Sequence, residues 1–192
     1  MNTLPSTKTL LIAATIAFFM LLTRGSHVLT NVALPDASLA LFLMGGLYLG
    51  SRFNTPAAWF SAFFALATVI DFGAAALDPA QGFCLTNGYW GLIPSYATMW
   101  LGGMWLGRQE DAFAPISYAL VSMFTTFVAF VISTQTYYLF SGRFPAKGVF
   151  ESMQHGWEYL PNWMGFAAMY FVAIWLVAAL LKSIKPTQIV RV

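Results

Sequence analysis

The stretch "AAWFSAFFALATVIDFGAAAL", residues 57–77, decides the fold. It carries one charge, Asp71, in a run long enough to cross the ~30 Å hydrocarbon core of a bilayer as a helix, which takes about 20 apolar residues. The rest of the chain has the same character. Charged residues make up 8% and hydrophobic residues 59% of the 192, against about 25% and 45–50% in an ordinary soluble domain. A soluble fold of this length has too little interior to hide so much apolar surface. The composition therefore predicts an all-α integral membrane protein whose residues 1–192 form a single domain. A net charge of +2 without a basic run excludes a nucleic-acid partner, and one cysteine gives neither a disulfide nor a cysteine-rich metal site.

Working outward from 57–77, the apolar runs predict six transmembrane helices: Thr9–Leu29, Leu34–Gly50, Ala57–Leu77, Gly91–Gly107, Phe113–Phe140 and Tyr159–Leu181. The connections carry breakers: Pro35, "NTP" at 54–56, "DP" at 78–79, Pro115, "FP" at 144–145 and Pro161. Lys8 before an apolar run resembles a signal peptide, but no A-x-A cleavage site follows, so the first span is kept. With the amino terminus inside, Lys8, Arg52, Arg108, Lys182, Lys185 and Arg191 are cytoplasmic and Arg24, Arg143 and Lys147 are outside. The excess of inner basic residues predicts an N-in, C-in topology. Short loops point to a bacterial inner membrane, with the loop "DPAQGFCLTNGYWG" (78–91) and its Cys84 on the periplasmic side. An exposed thiol there usually finds a disulfide partner, and this chain offers none.

Two segments echo each other, "LMGGLYLGSR" (43–52) and "WLGGMWLGR" (100–108). Gly46 with Gly50 and Gly103 with Gly107 are small-xxx-small pairs that let helices approach closely in lipid; duplication of a helix pair is an additional reading. Ala13 and Ala17 repeat the spacing in the first span and would equally serve a partner protein.

Polar groups within or beside the spans are sparse. Asp71 stands six residues from Leu77, about 9 Å below the outer helix end. An ionisable group at that depth faces protein or a water-filled cavity, since facing lipid would cost about 2.5 kcal/mol or more. Arg24 and His27 lie at the outer end of the first span; Arg24 either snorkels to the interface or joins a site. Cys84, Asn31, Asn87, Tyr89, His155, Trp157 and Asn162 fall in the same outer half, which suits capture from outside. A zinc site from the two histidines and the cysteine has no supporting ligand spacing.

A single thiolate cannot hold a free soft metal against competing chelators, but it can give one axial ligand to a metal already held in a macrocycle. Cobalamin fits: its corrin fills four equatorial positions, two axial positions exchange, and its amide rim matches Asn, Gln, Tyr and Trp. Six short helices, an aspartate near the outer end of the third, and "GFCLTNGYWG" before the fourth resemble the BtuM-type cobalamin uptake family of Gram-negative bacteria, which is similar to the S components of energy-coupling-factor (ECF) transporters. The resemblance implies an S-component-like bundle with the vitamin in an outward-facing cavity. It also implies Cys84 as axial cobalt ligand in place of the lower base, and Asp71 and Tyr89 beside the metal, with His27 as a further neighbour. Asn87 and Arg24 join the expected binding set. A-x-x-x-A surfaces on the first helix of S components commonly dock the coupling subunit, which gives Ala13 and Ala17 a role in meeting an energising module. No GxxxxGK[ST] loop is present, so the chain carries no ATPase signature of its own.

Sulfur at cobalt would also favour reductive decyanation of cyanocobalamin, a catalytic role for Cys84, Asp71 and Tyr89. Two readings from other classes stay open at this point: an S component for another vitamin with Cys84 a bystander, and a membrane thiol-redox enzyme, which would ordinarily need a second cysteine.

Overall fold

A computed structural model describes residues 6–24, 34–50, 56–144 and 148–184. Among these the chain is helical and without strands: α1 (Thr7–Arg24), α2 (Ser38–Gly45), α3 (Pro56–Leu77), α4 (Leu92–Leu106), α5 (Pro115–Phe140), α6 (Val149–Ser152) and α7 (Leu160–Ile184). A π-helical turn, Gly46–Gly50, continues α2. Two 3-10 turns, Pro79–Cys84 and Asn87–Gly91, link α3 to α4, and a third, Trp157–Tyr159, leads into α7.

Helix starts follow local chemistry. Pro56 and Pro115 open α3 and α5, where a missing N–H costs nothing because the first turn has no intrahelical acceptor for it. The second apolar run was expected to turn helical at Leu34, but α2 begins at Ser38. Pro35 disfavours helical backbone before it, and the Asp36 carboxylate takes the Ser38 N–H at 2.9 Å, closing an Asx turn where the helix would otherwise run.

Four stretches are long and apolar enough to cross a membrane: α1, α3, α5 and the stretch Val149–Ile184, which runs from α6 through the third 3-10 turn into α7. This is consistent with a multi-pass membrane protein. Their outward faces are apolar, with Val69 68%, Leu120 66% and Phe124 68% exposed, far more hydrophobic area than a water-facing surface carries. The helices at the second and fourth predicted spans are shorter. The 13 residues Ser38–Gly50 give a rod of about 20 Å, short of the hydrocarbon thickness.

That short helix lies in the middle. Residues 40–47 of α2 and its π turn are all buried, with α1, α3, α4 and α7 around them. A helix sheathed by protein need not match the bilayer, because its neighbours satisfy any backbone group left over at its ends. Nor does its burial gain the usual hydrophobic free energy in a bilayer, since lipid tails are as apolar as leucine; close packing holds it instead. Phe42 stacks on Tyr96 at 4.3 Å with an interplanar angle of 10°.

The glycine echo explains how near α2 and α4 come. A Cβ on Gly46 would lie 2.0 Å from the Trp100 carbonyl oxygen, and a Cβ on Gly103 would lie 1.9 Å from the Leu43 carbonyl oxygen. Leu43 matches Trp100 in the echo, and Gly46 matches Gly103. Each copy therefore offers its glycine to the same carbonyl of the other, and the repeated motif packs reciprocally upon itself.

Candidate functional site

Arg24, the last residue of α1, is the hub. Its Nε donates to Asp71 Oδ1 and its Nη2 to Asp71 Oδ2, both at 2.7 Å, a bidentate fork. Its Nη1 donates to Tyr96 Oη at 2.6 Å, to Ser38 Oγ at 2.8 Å and to Asp36 Oδ2 at 3.2 Å. The guanidinium is thus tied to α2, α3 and α4 at once. The Arg24 side chain is 8% exposed and that of Asp71 19%. Of the two expectations for Arg24, snorkelling to the interface is the one that fails: five bonds hold it among protein groups. The positive charge is in turn what permits a carboxylate at the depth of Asp71.

Tyr89 joins from the loop. Its hydroxyl donates to Asp71 Oδ2 at 2.8 Å and lies 3.5 Å from Thr68 Oγ1. Burial pushes its phenol well above the ordinary value, so it remains a hydrogen-bond donor. Asp71 thereby fixes Tyr89, and its carboxylate is already engaged three times.

The loop bearing Cys84 is built stiffly. The Asp78 side chain accepts the Ala80 N–H at 3.0 Å and caps the first 3-10 turn; Thr86 Oγ1 accepts the Gly88 N–H at 3.3 Å and caps the second. Two glycines press the second turn on α5. A Cβ at Gly88 would meet Tyr137 Cα at 2.8 Å, and one at Gly91 would meet Thr136 Oγ1 at 1.8 Å. Cys84 is exposed and unpaired on this platform. Protein on its inner side pushes its thiol up, and Arg143 pulls it the other way; Asp71 and Arg24 are near enough to act on it with opposite signs.

Sequence reasoning missed several neighbours. Arg143 lies over the Phe83 ring at 4.0 Å, and Tyr137 meets the same ring at 6.5 Å between centroids. Tyr137 Oη is buried without a hydrogen-bond partner among the described residues, an unfavourable state that a ligand's polar groups would relieve; Gln135 Oε1 is also unpartnered, but its Nε2 donates to the His155 carbonyl at 3.5 Å, away from this group. The "QTYY" at 135–138 was legible only as the end of a span. Tyr96, Ser38 and Asp36 were missed because nothing local links them to Arg24.

Of the predicted set, the structure brings Arg24, Asp71 and Tyr89 into one hydrogen-bonded group, while Cys84 ends the 3-10 turn that precedes the one carrying Tyr89. Asn87 is exposed at the start of the second 3-10 turn. His27 and Asn31 lie outside the described residues. His155 is apart from this group, stacked on Tyr138 at 5.5 Å. Among the described residues no three His, Cys, Asp or Glu side chains gather as a free-ion site. Compared with known proteins, the chain matches no family model and no curated protein.

Proposed function

We propose that the chain is a six-span protein of a bacterial inner membrane, with both termini in the cytoplasm, that takes up cobalamin and binds it at the outer helix ends with Cys84 sulfur as an axial cobalt ligand. The observation that supports this reading is the exposed, unpaired thiol on a doubly capped loop whose second turn carries Tyr89 into the Arg24–Asp71 hydrogen-bonded group. Arg24 and Asp71 hold Tyr89, and through it the second turn of the loop that carries the sulfur. Asn87 and the orphaned Tyr137 hydroxyl would meet amide groups of the corrin rim. His27 is kept as a neighbour in the proposal.

A thiol raised above its ordinary value is a poor attacking group at neutral pH, which counts against a thiol-redox enzyme. It does not count against ligation, because a coordinating metal deprotonates a thiol outright. Decyanation belongs to the same proposal. One electron from a low-molecular-weight thiol reduces Co(III) to Co(II), cyanide takes a proton and leaves as HCN, and the donor ends as half of a disulfide.

An ECF-type energising module is proposed to dock on α1. Ala13 lies in the bundle core and Ala17 is partly buried against it, so the docking strip would be the exposed Leu10, Ala14 and Phe18 alongside.

Purified protein mixed with hydroxocobalamin should shift the corrin absorption, and Cys84→Ala should abolish the shift. Binding with an unchanged spectrum in both would leave Cys84 a bystander, and no binding at all would end the cobalamin reading. Membrane-impermeant maleimide should label Cys84 in intact spheroplasts; labelling only after permeabilisation would reverse the topology.

A further inference from the structure

The opposite end of the bundle carries a feature that the cobalamin reading does not use. Between α5 and α7 runs a groove of about 380 Å³, with Ala119 and Met123 on one side, Ala168 and Val172 on the other, and Tyr118 and Phe171 at its floor. Its two hydroxyls are already spent: Tyr118 Oη donates to the Phe171 carbonyl at 3.3 Å, and Ser122 Oγ donates to the Tyr118 carbonyl. The groove thus offers an occupant apolar contact alone. Pro115 and Trp175 line it and also line a second recess of about 430 Å³, which is bounded by Asp111, Lys182 and Ser183. The two recesses adjoin at these shared residues.

From Phe171 to Lys182 is about 16 Å along α7, close to half of the ~30 Å hydrocarbon core, the depth of one leaflet. At the far end Lys182 Nζ and Asp111 Oδ1 are 2.7 Å apart, with side chains 56% and 49% exposed. Asp111 Oδ1 accepts from both Lys182 and the Phe113 N–H, so among the described residues Oδ2 takes no bond. The ammonium of Lys182 has three donors. A lipid acyl chain fits the apolar part, and adjacent opposite charges fit a headgroup that is itself a pair. A purely anionic head would set its phosphate against Asp111, and a quaternary ammonium has no N–H to give that carboxylate.

We propose that this groove holds one phosphatidylethanolamine molecule, its acyl chain along Phe171 and Trp175, its phosphate on Lys182 and its ammonium on Asp111. The site is independent of what binds at Cys84.

The test is native mass spectrometry of the full chain released from nanodiscs made with equal parts phosphatidylethanolamine, phosphatidylcholine and phosphatidylglycerol of the same acyl chains. Wild type should retain one phosphatidylethanolamine about tenfold over either competitor, a difference of about 1.4 kcal/mol. Asp111→Asn should erase the preference over phosphatidylglycerol while lipid is still retained. Ala119→Trp, which fills the groove from its exposed rim, should lose retained lipid of every class; Ala168→Leu serves if that variant does not give a monodisperse helical protein. Equal retention of the three lipids by wild type, or undiminished retention after filling, would overturn the proposal. So would a dimer of the chain that loses its partner on filling, since a second copy would then be the occupant.

Discussion

Two ion pairs of the same length stand at opposite ends of this molecule. Arg24 and Asp71 meet at 2.7 Å with side chains 8% and 19% exposed; Lys182 and Asp111 meet at 2.7 Å with side chains 56% and 49% exposed. Distance alone would rank them together. Burial and partner count separate them: Arg24 reaches four side chains on three elements, whereas Lys182 reaches one. The Lys182–Asp111 pair is open to its surroundings, and the Arg24–Asp71 pair is shut in where each charge depends on the other.

The largest effect should come from breaking the buried member. Arg24→Met leaves Asp71 without its cation and should destabilise the protein by about 3–5 kcal/mol, read from unfolding in detergent. A cost under 1 kcal/mol would mean that the Arg24 group is as dispensable as the Lys182–Asp111 pair.

The Cys84 thiol supplies the next. Binding that converts the raised Cys84 thiol to a cobalt-bound thiolate releases a proton at any pH below the thiol's own value. Apparent cobalamin affinity should therefore rise about tenfold per pH unit, or about 1.4 kcal/mol, through the neutral range. The rise should level off once the free thiol ionises. Cys84→Ser should be flat over the same range, and an equal slope in both proteins would remove sulfur from the reaction.

Tyr96→Phe sharpens the comparison within the Arg24 group. It deletes one bond to Arg24 and leaves the ring stacked on Phe42, so a loss of about 1.5–3 kcal/mol is expected for a hydrogen bond to a charged group. At the other end of the molecule, Lys182→Ala should cost about 0–1 kcal/mol and nothing at 1 M salt, where screening acts within about 3 Å. Lys182 holds the Asp111 carboxyl below its ordinary value. Its small contribution is therefore present above about pH 4 and fades as pH falls through the lowered value.

The helices were largely legible in the sequence, and the reason is physical. In a bilayer a spanning backbone must satisfy its own hydrogen bonds, so an apolar run and a helix coincide. The runs expected at Ala57–Leu77 and Phe113–Phe140 appear as Pro56–Leu77 and Pro115–Phe140. The retreat of α2 to Ser38 depends on a proline and an Asx turn that an apolar window averages away. The glycine echo was visible, but its reciprocal packing was not, because sequence does not say which helix lies against which.

The candidate site divides in the same way. Asp71 was found because a charge deep in an apolar run needs a partner. The identity of that partner was hidden: Arg24 and Asp71 are 47 residues apart and Arg24 and Tyr96 are 72 apart, and no local pattern joins them. Tyr137 was hidden for another reason, since an orphaned hydroxyl is a property of the folded surroundings and not of the residue.

X-ray absorption at the cobalt edge, on purified protein loaded with cobalamin, tests the central claim most directly. A sulfur scatterer should appear in the first shell of the wild-type complex and be missing from Cys84→Ser. A wild-type complex whose cobalt sees only nitrogen, oxygen and carbon would contradict the account.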